Sequence, residues 1–270
     1  MKVDTYSITG VKKEQVELPS QFQESVRGDL IRRAVISQQS HNYQPYGSDP
    51  LAGTKQGQAT PKRRKRYKST YGHGVSRVKR KFSWRRGLRF GFVGAFVSSA
   101  IGGKKAFAPQ VNKVISEKIN TKERRKSIRS AIAATAKKEL VEKRNHQIKG
   151  IKSLPLVTED KFETLKKAKD VKIALTKLGL SEELARTSKR KVRSGRGTTR
   201  GRKYKTKVGP LLVVSKACNA VKAARNLLGV DIVEVNCLNA ELLAPGTQPG
   251  RLTVWTKSAI ERLNKERLFK

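Results

Sequence analysis

The sequence predicts an α/β fold, a mostly parallel sheet covered by helices, with a long extended basic loop inserted near the amino terminus. Three observations lead there. Short β-branched runs alternate with segments of helical apolar spacing, the mark of βαβ units whose sheet is covered on both faces. The 270 residues hold 61 Lys and Arg against 21 Asp and Glu, a net charge of +40. These charges are segregated: the intervals Asp49 to Glu117 and Glu183 to Asp231 enclose 17 and 14 basic residues and no acidic one.

In chain order, "VDTYSITG" and "EQVELP" predict an amino-terminal hairpin. "GDLIRRAVISQQSHN" then places apolar residues at 30, 31, 34 and 35, one stripe of a helix. Pro45, Gly47, Pro50 and Gly53 punctuate the next stretch, and no regular periodicity persists to about residue 107. Asn120 and Glu123 predict a capping box for a helix running from 121 to 144, with Ile128, Ile132, Thr135, Ala136 and Leu140 on its apolar face. Beyond it, strands are expected at 154–158, 209–214, 230–235 and 251–255, and helices at 159–179, 217–228 and 257–268. The globular part is therefore expected at 1–45 and 108–270, with a second basic loop at 187–209, and the extended loop at 46–107.

A charge of this size opposes compaction, and a polyanionic partner relieves it; nucleic acid comes ahead of anionic lipid or acidic protein. The first basic window holds five consecutive cations in "PKRRKRYKST", and half of the 16 aromatics fall between residues 60 and 107. A long loop of this kind inside a compact domain is functional or disordered. Disordered tails are poor in aromatics, so this one is expected to take shape on binding. Arginine forks bridge phosphates and aromatic rings stack on unpaired bases, a mixture that suits folded RNA. The RNA-binding candidates here are Lys62, Arg63, Arg64, Lys65, Arg66, Tyr67, Tyr71, His73, Arg77, Lys79, Arg80, Lys81, Trp84, Arg85, Arg86, Arg89, Lys104 and Lys105. The bland alternative is a solvated basic linker. In the second window the candidates are Arg193, Arg196, Arg200, Arg202 and Lys203. Its GxGxxxG spacing lacks the strand-to-helix setting of a dinucleotide loop.

Catalytic signals are absent. His41, His73 and His146 stand apart and read as surface, RNA-contacting or capping residues; Asp231 and Glu234 sit on a strand without a visible partner. No nucleotide-binding, nucleophile-elbow or zinc-protease motif occurs, so no enzyme, cofactor or metal is expected. Cys218 and Cys237 lack metal-ligand spacing and read as small buried hydrophobes in a reducing compartment. The amino terminus has no apolar signal region, and the weakly polar run from Phe90 to Gly103 is shorter than the roughly 20 residues a membrane span needs. The expected setting is cytoplasmic, with no membrane partner. An RNA-modifying enzyme with a basic arm and a general DNA-compacting protein are the competing readings.

"QPYGSDPLAG", "RSAIAATA", "KVRSGRGTTRGRKYK" and "ARNLLGVDIVEVNCLNAELLAPGTQPGRLTVWTKSAIERL" together resemble the large-subunit ribosomal protein four family in its archaeal and eukaryotic form. The resemblance implies a three-layer α/β/α domain with a four-stranded parallel sheet. It also implies a loop that penetrates large-subunit ribosomal RNA, helps form the constriction of the peptide exit tunnel opposite ribosomal protein twenty-two, and contributes to subunit assembly. Its partners would be that RNA, neighbouring ribosomal proteins and the nascent polypeptide, with one copy per ribosome. Carried onto this sequence, the loop stem is "PYGSDPLAG" and "IGGKKAFAP", and the tip falls at 62–77. Arg63, Arg64, Arg66, Tyr67, Tyr71, His73 and Arg77 then become the tunnel-facing candidates. The sequence departs from the family pattern at "KKAFAP", where an arginine pair followed by Ala-His-Pro-Pro is expected. Lys104 and Lys105 lack the bidentate reach of arginine. An end at Lys270, without the longer carboxy-terminal extension of eukaryotic members, points to the archaeal type.

Overall fold

Alternating side chains in the first residues form β1 (Lys2–Tyr6), and β2 (Lys12–Glu17) returns antiparallel beside it. α1 (Gly28–Ser40) follows, burying Ile31, Ala34 and Val35 of the expected stripe. Next come β3 (Arg80–Arg86) and β4 (Arg89–Gly94), then α2 (Thr121–Thr135), α3 (Lys138–Lys143) and β5 (Leu156–Thr158). α4 (Ala168–Leu175) and α5 (Ser181–Ser188) precede β6 (Lys191–Val192) and β7 (Tyr204–Lys205). The chain ends through β8 (Leu211–Val214), α6 (Asn219–Ala224), β9 (Asp231–Glu234), α7 (Ala240–Leu243), β10 (Thr253–Thr256) and α8 (Lys257–Lys265). The structure, a computed structural model, describes residues 1–55 and 60–269. Residues 56–59 of the first basic window therefore lie outside the described residues. Two compact units result, Met1–Asn42 with Ser116–Lys270, and Tyr43–Ile115.

The first unit is an α/β/α sandwich on a six-stranded sheet ordered β2-β1-β5-β10-β8-β9. Every pairing but β1 with β2 is parallel. The four-stranded expectation is corrected: β5, β10, β8 and β9 make that core, and the amino-terminal hairpin extends it through β1 along β5. Neighbouring residues on the strands feed opposite cores. Val157, Leu211, Val213 and Trp255 pack with α1, α2, α7 and α8. Leu156, Leu212 and Val254 pack with α3, α4 and α6.

That division explains where the expected helices break. The helix predicted over 121–144 ends at Thr135 and resumes at Lys138, with Lys137 extended between them. Ile128 and Ile132 belong to one core and Val141 to the other, so a straight helix cannot serve both. The capping box also fails: the Asn120 side chain caps nothing, and Glu123 pairs with Arg33 of α1 at 3.3 Å. The helix predicted over 159–179 is a 3₁₀ turn (Asp160–Thr164) followed by α4, because Glu163 is drawn to the strand ends. No described helix is long and apolar enough to cross a membrane.

Candidate nucleic-acid interface

The unit Tyr43–Ile115 holds the first basic window. Where no regular structure was expected, β3 and β4 pair as a hairpin through the two-residue turn Gly87-Leu88. Its cause lies in the aromatics. Phe82, Phe90 and Phe92 pack at centroid separations of 5.4 to 6.5 Å, Tyr67 meets Phe90 edge-on at 5.6 Å, and His73 meets Phe92 at 5.5 Å. The phenyl rings read from sequence as material for base stacking are thus spent on each other. The segment before the hairpin folds against it: Thr60 N donates to Arg80 O at 3.0 Å, and Thr70 N to Pro61 O at 3.1 Å. At the base, Gly53 has φ +79° and a Cβ there would sit 2.5 Å from the Gly103 backbone, so the outgoing and returning chains touch where only glycine fits.

The cations stay outside. Lys62, Arg63, Arg64, Lys65, Arg66, Arg77, Lys79, Arg85, Arg86, Arg89, Lys104 and Lys105 are exposed, as are Tyr67, Tyr71, His73 and Trp84; Arg80 and Lys81 are half-buried. Several cations lie over rings: Arg64 is 5.3 Å from the Tyr71 centroid, Lys68 5.5 Å from Tyr67 and Phe82, and Arg85 5.9 Å from Phe90. The sequence gives this unit one acidic residue, Asp49, and it pairs with Lys55. A surface of guanidinium groups without internal counter-charges is suited to phosphate.

The second window, in the first unit, is also a hairpin. β6 and β7 pair antiparallel, and the turn is closed by Arg193 N to Lys203 O at 2.8 Å and Arg202 N to Gly197 O at 2.9 Å. Arg196, Arg200, Arg202 and Lys203 are exposed and Arg193 is half-buried. The strands flank the glycines on both sides, so no helix opens after them and no dinucleotide loop exists here.

Two arginines tie down the base of this hairpin. Arg186 of α5 donates to both carboxylate oxygens of Glu183, at 2.8 and 2.6 Å, and to Val208 O at 2.7 Å, where the hairpin returns. Arg251, 1% exposed, donates to Gly209 O and Leu242 O at 2.9 Å each and pairs with Asp231. Glu183 is itself fully buried and receives His146 Nδ1 at 2.6 Å and Gln147 N at 3.0 Å. Burial pushes its carboxyl up, but the Arg186, His146 and Gln147 donors outweigh it and hold the pKa at about 2. Burial pulls His146 below its ordinary value despite Glu183 beside it, so the ring is neutral, with its proton on Nδ1 facing the carboxylate. His146 is therefore a buried anchor, correcting its reading as a surface residue. Arg144 is brought down to about 10 by burial and by Arg251 and Arg186 nearby, so the hairpin's footing is itself electropositive. Sequence reasoning missed this anchor, because Glu183 marked only the edge of an acid-free interval.

The crevice at the carboxyl ends of the strands is where open α/β sheets take ligands, at the point where chain order reverses. Here β10 inserts between β5 and β8. At the ends of β8 and β10, Glu163 accepts from Ser215 N and Oγ at 2.8 Å each, Thr256 Oγ1 at 2.7 Å and Ser258 Oγ at 3.1 Å. At the opposite, amino-terminal end of the strands Asp231 pairs with Arg251. Cys218 is half-buried and Cys237 exposed, so neither is the buried hydrophobe expected from sequence. Among the described residues no group of three His, Cys, Asp or Glu side chains could hold a metal ion.

The sequence matches the family described as "Ribosomal protein L4/L1 family" over residues 16–266. The chain belongs to that family. Proteins named "Large ribosomal subunit protein uL4" are similar to it along nearly their whole length. That of Methanosphaera stadtmanae is 48% identical over 97% of this chain and 96% of its own. That of Nanoarchaeum equitans is 45% identical over the whole of both chains, and that of Archaeoglobus fulgidus 45% identical over 98% of this chain and 99% of its own. In this archaeal-type member of the L4 family, Glu163 fastens the end of β8 to the start of α8.

Proposed function

We propose that the chain is a structural, non-catalytic constituent of the large subunit of cytoplasmic ribosomes. It binds large-subunit ribosomal RNA through the unit 43–115 and through the β6–β7 hairpin. The reading extends to position: residues 46–107 line the wall and constriction of the nascent-peptide tunnel beside ribosomal protein twenty-two, and the protein takes part in subunit assembly as a single copy. Arg63, Arg64, Arg66, Tyr67, Tyr71, His73 and Arg77 are the residues assigned to approach the nascent polypeptide. Lys104 and Lys105 hold phosphates at the stem.

The observation that carries this reading is the pair of structured hairpins whose exposed arginines have almost no acidic neighbours. Sedimentation tests it. The tagged chain should travel with large subunits and remain through a high-salt wash, since a chain threaded into RNA leaves slowly. Recovery in the free pool, or release at modest salt, would overturn the reading.

A further inference from the structure

Trp84 stands apart from the other aromatics of its hairpin. Phe90 and Phe92 occupy one face of β4, and the phenyl ring of Phe82 joins them there. The pairing runs Phe82 to Phe92 and then Trp84 to Gly91, so β3 carries one extra residue between them. This bulge turns Trp84 onto the face opposite the phenyl cluster. There its indole lies directly on the Gly91 backbone: a Cβ at Gly91 would sit 2.1 Å from Nε1 and 2.5 Å from Cδ1 and Cε2. Three ring atoms at nearly equal reach mean that the face of the ring, not its edge, covers the glycine. Trp84 is nonetheless 55% exposed, which leaves ring surface away from Gly91 open to solvent. By strand alternation Arg86 and Arg89, directly paired across the ladder, lie on this same face.

We propose that Trp84, Arg86 and Arg89 form a stacking site for one unpaired nucleobase of ribosomal RNA. The base lies on the free face of the indole and the two guanidinium groups take the flanking phosphates. The inference rests on the reading that the unit 43–115 binds ribosomal RNA, and it names the chemistry within it. Shielding of Gly91 by a cross-strand aromatic ring accounts for the indole alone and calls for no cations beside it. A broad ring held flat by glycine, one face free, between two cations, is what a base and its phosphates require. Stacking of this kind tolerates any base, because every base has a π-face.

The second tryptophan makes the test clean. Trp255 is fully buried in the first unit, so changes in quencher access and RNA-induced quenching report Trp84. The full chain is titrated with protein-free large-subunit RNA and, separately, with perfect duplex RNA of matched length. Large-subunit RNA should quench Trp84 and protect it from iodide, and the duplex should bind without doing so. Trp84→Leu, which still covers Gly91, should weaken binding to large-subunit RNA about 5- to 150-fold with an unchanged salt slope. Trp84→Phe should recover part of that affinity. Arg86→Gln with Arg89→Gln should lower the log-log salt slope by about 0.7 for each phosphate no longer bound. Undisturbed Trp84 emission at saturation, or wild-type affinity in Trp84→Leu, would overturn the stacking site while salt-dependent binding left the RNA reading intact. Absence of salt-dependent binding by the wild-type chain would overturn both.

Discussion

Replacing Glu183 by glutamine removes the charge at the centre of the second hairpin's footing while keeping its shape. The carboxyl is fully buried and is held at about 2 against an ordinary 4.5, a displacement of about 2.5 units. At about 1.4 kcal/mol per unit, the ionised form contributes about 3 kcal/mol to folding at neutral pH. The destabilisation expected on breaking a buried ion pair from one side, about 3 to 5 kcal/mol, agrees. The depressed value fixes the sign of the pH effect. This stability is complete above pH 4.5 and disappears as pH falls toward 2. Neutral His146 acts in the same direction: its value is lowered from 6.5, so its share is present above that pH and lost as acid protonates the unfolded chain first. Urea unfolding of the full chain, followed by the emission of buried Trp255, should show Glu183→Gln less stable by about 3 kcal/mol at pH 7. The gap should close as pH falls from 4.5 to 2, where the wild type loses what the variant never had. Equal midpoints at pH 7, or a constant gap across the acid range, would show that the cluster does not anchor the fold.

Both core clusters are built without any described residue from 43–115, so replacing residues 54–102 by a short glycine-serine linker should leave one cooperative thermal transition, and its disappearance in calorimetry would contradict the two-unit architecture. Changing Arg193, Arg196 and Arg200 together to glutamine should reduce the salt slope of RNA binding by about 0.7 to 0.9 for each phosphate released, and an unchanged slope would take the β6–β7 hairpin off the interface. Phe90 touches Tyr67, Phe82 and Phe92. Phe90→Ala should speed amide exchange across residues 80–94 about tenfold or more, at about 0.5 to 1.5 kcal/mol per ring pair, and exchange at the wild-type rate would mean the rings do not hold the hairpin.

The α/β core was legible because its central strands are buried on both faces and read as continuous apolar runs, as in "GPLLVV". Sheet order was not: β10 lies between β5 and β8, and pairing of chain-distant strands leaves no local mark. The break at Lys137 was hidden for the same reason, since Ala136, Lys137, Lys138, Glu139 and Leu140 all favour helix and the two opposed cores forbid a straight one. In the first basic window, charge and aromatic content were read, but the hairpin was not. Its signal was present in Phe90 and Phe92 two residues apart behind the Gly87-Leu88 turn, the spacing of one strand face. The Glu183, His146 and Arg186 anchor joins residues up to 40 positions apart and had no pattern to offer.

The most direct measurement is hydroxyl-radical footprinting of large-subunit RNA in particles carrying the full chain and in particles carrying the chain with residues 54–102 replaced. If the unit 43–115 is threaded into that RNA, one discrete set of protected nucleotides disappears in the shortened form while the set owed to β6–β7 persists. Identical footprints, or protection spread weakly along the whole RNA in both, would mean that the basic windows coat the RNA from outside and that the reading is wrong.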